Sequence, residues 1–150
     1  MAEQETLRCM QLPMSNFQML LPNSAVAEII GYIEPETGNQ DYEWLNGFIS
    51  WRGVNVPVVS IEMMCGQISQ KPGPRSRIAI IYHPDGDESM PYLGLILKDI
   101  PRAYLAEQDR LHELVDEEGC KFLIGRADVM FDQLVIPNVD AIASQVKSVL

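Results

Sequence analysis

Between His83 and Glu88 the chain gathers one imidazole and three carboxylates, His83, Asp85, Asp87 and Glu88. These are donors a divalent cation takes, but the spacing does not complete an EF-hand pattern, which needs further acidic ligands and a terminal Glu. Asp85-Gly86 is first of all a turn dipeptide, and a turn between two strands accounts for every residue of the segment. No metal site is expected there. The adjacent Met63 and Met64 offer soft sulfur, yet no Cys/His/Met cluster accompanies them, and methionine commonly fills gaps in a core. Glu117-Glu118 reads as solvated charge. The two histidines, His83 and His112, fall in loop or surface positions. There is no Gly-rich phosphate loop, His-Glu-x-x-His or Gly-x-Ser-x-Gly, so neither catalytic residues nor a cofactor is expected. Cys9, Cys65 and Cys120 are odd in number, widely spaced and lack a Cys-x-x-Cys motif. That argues against a disulfide framework and a zinc site, and all three are expected reduced and mostly buried.

The remaining candidate is Arg52. It stands with Gly53 between two β-rich runs, Gly47 to Trp51 and Val54 to Val59, at the length and glycine placement of a tight hairpin turn. That turn sets Trp51 opposite Val54, Ile49 opposite Val56 and Gly47 opposite Val58, collecting apolar cross-strand pairs on one face. Phe48, Ser50, Asn55 and Pro57 take the other face. Pro57 falls at a non-hydrogen-bonded pair and requires an edge or bulge on its far side. Arg52 is left at the tip, where a long cation suits contact with a partner better than burial. An exposed arginine in a turn is more often solvated, so position alone does not decide its role.

The elements around this hairpin follow from pattern and punctuation. Leu7 to Met14 and Phe17 to Leu21 read as strands joined at Ser15-Asn16. Val26 to Ile33 reads as a strand, although Ala25, Ala27 and Glu28 also suit the opening of a helix. Simple alternation puts Val26, Glu28, Ile30 and Tyr32 on one face and Ala27, Ile29, Gly31 and Ile33 on the other, with the first set expected to be exposed. Residues 34–41 form a connecting loop. Ser60 caps one or two helical turns that stop at Gly66, with Met63 and Met64 plugging the end of a barrel. Residues 67–76 are the clearest loop, and a candidate mobile one. Strands follow at Arg77 to Tyr82, Tyr92 to Leu97, Lys121 to Arg126 and Met130 to Ile136. Between them, Leu105, Leu111, Leu114 and Val115 have helical composition and partial helical spacing. Val139 to Leu150 is a helix capped by Asn138, with an apolar stripe of Val139, Ile142, Val146 and Val149.

The chain has 150 residues, 47% of them hydrophobic, enough for one domain or two merged small barrels with a substantial core. Its net charge of −10 disfavours nucleic acid and anionic lipid and favours a partner with a basic surface. No apolar run approaches the roughly 18 residues of a membrane span, so direct membrane insertion is not expected. The acidic first residues do not form a basic leader, and a cytoplasmic location is expected.

Gly47-Phe-Ile-Ser-Trp-Arg-Gly-Val-Asn-Val-Pro-Val-Val59 resembles the signature of CheW-like coupling domains, a Gly-apolar-apolar-x-x-Arg-Gly turn followed by apolar-Pro-Val. The resemblance extends through Leu20-Leu-Pro-Asn-Ser-Ala-Val-Ala-Glu-Ile-Ile30, Arg77-Ile-Ala-Ile-Ile-Tyr82, Tyr92-Leu-Gly-Leu-Ile-Leu97, Phe122-Leu-Ile-Gly-Arg126 and Leu134-Val-Ile-Pro137. It implies a mainly β fold of two small five-stranded SH3-like β-barrels with a C-terminal helix, intertwined as a single CheW-like domain over residues 1–150. It places a strand near Ile100 to Ala106, leaving room for a short helix near Gln108 to Val115.

The resemblance also implies a non-catalytic adaptor coupling the cytoplasmic tip of a chemoreceptor to the regulatory domain of a CheA-type histidine kinase, recruited to membrane-associated receptor arrays. Arg52, Gly53, Glu28, Ile30 and Tyr32 are its partner-binding candidates. Trp51 before Arg52-Gly53, and Ser60-Ile61-Glu62 where Asp-Leu is commoner, resemble the ChpC-type branch of type IV pilus chemosensory systems, which serve twitching motility. The alternative is a free-standing SH3-like module binding a peptide or protein without a kinase.

Overall fold

The computed structural model describes residues 6–37, 41–107, 111–113, 120–128 and 133–150. Their strands are β1 (Thr6–Pro13), β2 (Gln18–Pro22), β3 (Val26–Gly31), β4 (Leu45–Trp51), β5 (Val54–Val59), β6 (Arg77–Tyr82), β7 (Tyr92–Leu97), β8 (Arg102–Glu107), β9 (Leu111–Glu113), β10 (Leu123–Asp128) and β11 (Gln133–Pro137). A 3-10 turn at Asn23–Ala25 and two α-helices, α1 (Ile61–Met64) and α2 (Val139–Val149), complete the described elements. The strands form a six-stranded sheet in the order β8-β1-β2-β11-β10-β9 and a five-stranded sheet in the order β3-β6-β7-β5-β4. The fold is mainly β, SH3-like in its small curled sheets, with the expected C-terminal helix. Among the described residues neither sheet closes into a ring.

The sixth strand corrects one expectation. A short helix was expected near Gln108 to Val115, but Leu111–Glu113 is a strand pairing with β10, Leu111 opposite Ala127 and Glu113 opposite Gly125. Helical composition is a weak preference, and the unpaired hydrogen-bonding edge of β10 outweighs it. The rest of that segment lies outside the described residues.

The β4–β5 hairpin forms in the expected register, Trp51 opposite Val54, Ile49 opposite Val56, Gly47 opposite Val58 and Phe48 opposite Pro57. Pro57 is accommodated because β5 pairs with β7 only from Val58 and Val59 onward. Gly47 has a second duty. With φ of 138° it brings β4 against the preceding connection, where Glu36 and Phe48 exchange two backbone hydrogen bonds of 2.9 Å. A Cβ at Gly47 would lie 2.1 Å from the Glu36 carbonyl oxygen, so no other residue fits without moving backbone.

The main core lies between the sheets. Leu12, Met19 and Leu21 from the first sheet meet Leu93, Leu95 and Leu97 from the second, and Ile142 and Val146 of α2 close over them. The Asn138 side chain caps α2 by accepting from the Ala141 N–H at 3.1 Å. A second cluster, built on Ile49, Val56, Val58, Ile78 and Ile80, fills the other face of the five-stranded sheet. A third, around Cys9, Leu20, Ala106 and Leu134, serves the six-stranded one.

The expectation of three reduced cysteines is overturned for two of them. Cys9 is buried and free, whereas Cys65 and Cys120 are joined by a disulfide, with Cα atoms 5.2 Å apart. They stand 55 residues apart in sequence, and only the packing of the α1 end against the approach to β10 brings them together. Met64 and Cys65 both pack against the core between the sheets.

Candidate partner-binding site

The Arg52-Gly53 turn has φ of 49° and 78°, both in the left-handed region. Two positive φ values in a two-residue loop match the right-handed twist of the flanking strands, a conformation that favours Asn-Gly. Arginine at the first position is therefore an unfavourable residue for the turn itself. Its side chain is 70% exposed and lies over the Trp51 ring, the guanidinium carbon 4.8 Å from the ring centroid. Such a contact contributes about 0.5–1 kcal/mol at an exposed site. It fixes where the cation points.

Trp51 is the centre of the arrangement. Its indole Nε1 donates to Glu28 Oε2 at 2.6 Å, and the Arg52 guanidinium lies 3.7 Å from the same oxygen. At that distance and exposure the ion pair itself is weak. On its other side, Trp51 packs edge-on against Tyr92 at 4.9 Å, and Tyr92 meets Tyr82 at 5.7 Å. These tyrosines are a cross-strand pair at the ends of β6 and β7, and Tyr82 is 48% exposed. The hairpin tip thus presents a cation, a partly shielded carboxylate and an aromatic shelf. The sequence reading missed Tyr82 and Tyr92. Their only signal was symmetrical placement on either side of the His83–Pro91 connection.

The structure brings Glu28, Arg52 and Gly53 together, with Ile30 on β3 and Tyr32 just past its end both packed against the cluster that contains Trp51. Ile30 and Tyr32 are half-buried there. Burial first, and the Glu34 carboxylate second, push the Tyr32 phenol above its ordinary pKa. The expected two-residue alternation along β3 needs correction at its start. A bulge between Val26 and Glu28 sends Val26 with Ile29 toward the core between the sheets, while Ala27 joins Ile30 and Tyr32 at the second cluster. Ile33, expected on the inner face, is 52% exposed. One inserted residue rotates everything before it relative to everything after it.

Two of the residues weighed as metal donors, His83 and Asp87, have side chains engaged locally. His83 Nδ1 accepts from the Asp85 N–H at 3.1 Å, and Asp87 accepts from the Ser89 N–H at 2.9 Å and from the Lys147 ammonium. The Lys147 contact first, then Ser89, holds the Asp87 carboxyl well below the usual carboxylate range. His112 is placed by its backbone in β9, and Glu117-Glu118 lies outside the described residues.

Against this geometry, the profile of the CheW-like domain family matches residues 9–147. The chain belongs to the CheW-like family. CheW-like domains act as non-catalytic scaffolds in chemotaxis-like signalling, and this member is a scaffold rather than an enzyme. Among solved structures, the scaffolding protein TtCheW from Thermoanaerobacter tengcongensis superimposes with a TM-score of 0.76 at 17% identity, over 89% of each chain. At that identity the likeness establishes the shared fold. No curated protein matches the sequence. No described helix is long and apolar enough to cross a membrane.

Proposed function

We propose that the chain is a coupling adaptor that links the cytoplasmic tip of a chemoreceptor to the regulatory domain of a CheA-type histidine kinase. Its sheets act together as a single CheW-like domain, recruited from the cytoplasm to membrane-associated arrays. Arg52 is the central contact, Gly53 gives its turn the required backbone, and Glu28, Ile30 and Tyr32 supply the adjoining surface. The observation that carries this reading is an arginine held at a left-handed turn position that favours other residues, extended into solvent and oriented by Trp51 and Glu28. Backbone cost retained at an exposed tip points to use of the side chain. A planar guanidinium in that position suits a carboxylate on the partner.

The system served is proposed to be a type IV pilus chemosensory pathway of the ChpC type, driving twitching motility. Both residue departures that favour this branch have local roles: Trp51 holds Glu28, and Glu62 binds the turn between β1 and β2. The partner chemistry follows from charge. A chain of net charge −10 gains steering from a complementary basic surface, and an interface of about 1,600 Å² would occupy a modest part of its exterior.

The test is affinity for a purified CheA-type regulatory domain and for a receptor-tip fragment across a salt series. Both are expected to bind, more weakly as salt rises. Arg52→Ala is expected to weaken the receptor fragment's binding while leaving the melting temperature nearly unchanged. Binding of neither partner, with retained binding of some other peptide at the Arg52 surface, would replace this reading with a free-standing SH3-like module.

A further inference from the structure

The β6–β7 ladder has a second cationic end. Tyr82 and Tyr92 lie at the Arg52 end, whereas Arg77 pairs with Leu97 at the other. The five steps from Arg77 to Tyr82 separate the two ends by about 17 Å at roughly 3.4 Å per residue. Beyond Leu97 the chain runs through Lys98 to Arg102 into β8, and a cleft of about 400 Å³ opens there between this connection and the β1–β2 turn. The Lys98 N–H donates to the Pro13 carbonyl at 2.9 Å, so the cleft lies across the junction of the two sheets.

Three cations line it, Arg75, Lys98 and Arg102, against one carboxylate, Asp99. Asp99 is already engaged: Oδ1 accepts from Arg75 Nε at 2.9 Å and from the Ile100 N–H at 2.6 Å. Those contacts, Arg75 first, hold its carboxyl below the usual range. Asp99 orients Arg75 without neutralising the group. Among the described residues, neither Lys98 nor Arg102 forms an ion pair at bonding distance. In a chain of 21 acidic and 11 basic residues, three cations facing one committed carboxylate are a local inversion of the overall charge. Met14 and Ile100 add apolar wall, and Ile100 is 43% exposed.

We propose that this cleft docks an extended acidic segment of a partner protein, as a second contact surface separate from the Arg52 tip. The segment places carboxylates on Arg75, Lys98 and Arg102 and an apolar side chain against Ile100. A segment fits better than a free small anion because the cations are exposed and each contact is screened. Several carboxylates on one chain gain from each other's binding through effective concentration. The inference stands on the charge and shape of the cleft and does not depend on the role assigned to Arg52. Placement at opposite ends of one ladder leaves both surfaces accessible at the same time.

The test uses the full-length chain with fluorescein-labelled hexaglutamate, hexaglutamine as the uncharged control and citrate as a small polyanion, at low ionic strength. Hexaglutamate is expected to bind, shifting the amide resonances of Gln18, Lys98, Asp99, Ile100 and Arg102 while sparing Arg52 and Gly53. Lys98→Glu with Arg102→Glu should weaken it about tenfold, a loss of about 1.4 kcal/mol. The milder Lys98→Gln with Arg102→Gln should act in the same direction, and Arg52→Ala should have no effect. Absence of hexaglutamate binding, equal binding of hexaglutamine, or wild-type affinity in both double variants would overturn the proposal. Citrate binding at the same amides as tightly as hexaglutamate would also overturn it, in favour of a small-anion pocket.

Discussion

Two carboxylates, Glu62 and Glu28, show how this molecule uses charge in opposite ways. Glu62, on α1, is 3% exposed and receives the backbone N–H groups of Ser15 and Asn16 at 2.8 Å each, together with the Asn16 side-chain amide. It ties the helix after the central hairpin to the turn of the first one. One turn further on, Cys65 makes a covalent link to Cys120. Glu28, on β3 beside the hairpin tip, keeps 38% of its side chain exposed and shares one oxygen between Trp51 and Arg52. The α1 junction joins the two sheets, and its polar groups are saturated by the chain itself. The tip leaves donor capacity on Arg52 unused. The contrast predicts that substitutions at α1 act on stability and that substitutions at the tip act on binding.

The largest effect is expected at the disulfide. Closing a 55-residue separation restricts the unfolded chain by about 4 kcal/mol in the loop-entropy description. Cys65→Ser should therefore lower unfolding free energy by about that amount in urea melts without reductant. The difference should vanish when both proteins are melted in dithiothreitol. A difference that persists in reductant would assign the effect to packing of Cys65 instead.

Glu62→Ala should follow, costing about 3 kcal/mol because it leaves buried backbone donors without an acceptor. Glu62→Gln keeps one acceptor and should cost less. Partner affinity, measured where both variants remain folded, should match the wild type. A variant of normal stability and impaired binding would place Glu62 among the contact residues and erase the contrast.

At the tip the order reverses. Arg52→Ala should weaken receptor-fragment binding by about 2 kcal/mol, or roughly thirtyfold, as expected of a central interface arginine. Its unfolding free energy should stay within about 0.5 kcal/mol of the wild type. Arg52→Asn sharpens the comparison, since asparagine is favoured at that turn position. It should match or exceed wild-type stability while binding as poorly as the alanine variant. Loss of stability in both variants would show that Arg52 is structural.

The smallest effect belongs to the Asp87–Lys147 contact, an exposed pair linking the β6–β7 connection to α2. Asp87 has a lowered folded-state pKa, so its stabilisation is present above the unfolded carboxylate value of about 3.9 and is lost as pH falls through and below it. Asp87→Asn should melt slightly below the wild type at pH 7, and the two should converge toward pH 2. Parallel curves would show that the ion pair contributes nothing through this titration.

Much of the architecture was legible because it is local. A two-residue turn fixes cross-strand register, so Gly47 to Val59 could be paired residue by residue and Arg52 placed at its tip. The Asn138 cap and the Ile142/Val146 stripe likewise defined α2. Local pattern failed where distant chain decides the outcome. Leu111–Glu113 is a strand because β10 offers it an edge, although its own composition favours a helix. The β3 bulge depends on pairing with β6, and it moves Val26 away from the face that alternation assigned it.

The candidate site divides in the same way. Sequence by itself determined the turn, its exposed cation and, through the family signature, their place in a CheW-like scaffold. Only the tertiary structure decided that Glu28 receives the Trp51 indole, that Tyr82 and Tyr92 extend the surface, and that Cys65 meets Cys120. Turn chemistry acts over a few bonds and is written in adjacent residues. Contacts between chain-distant groups depend on how both sheets pack on their shared core, which no single segment encodes.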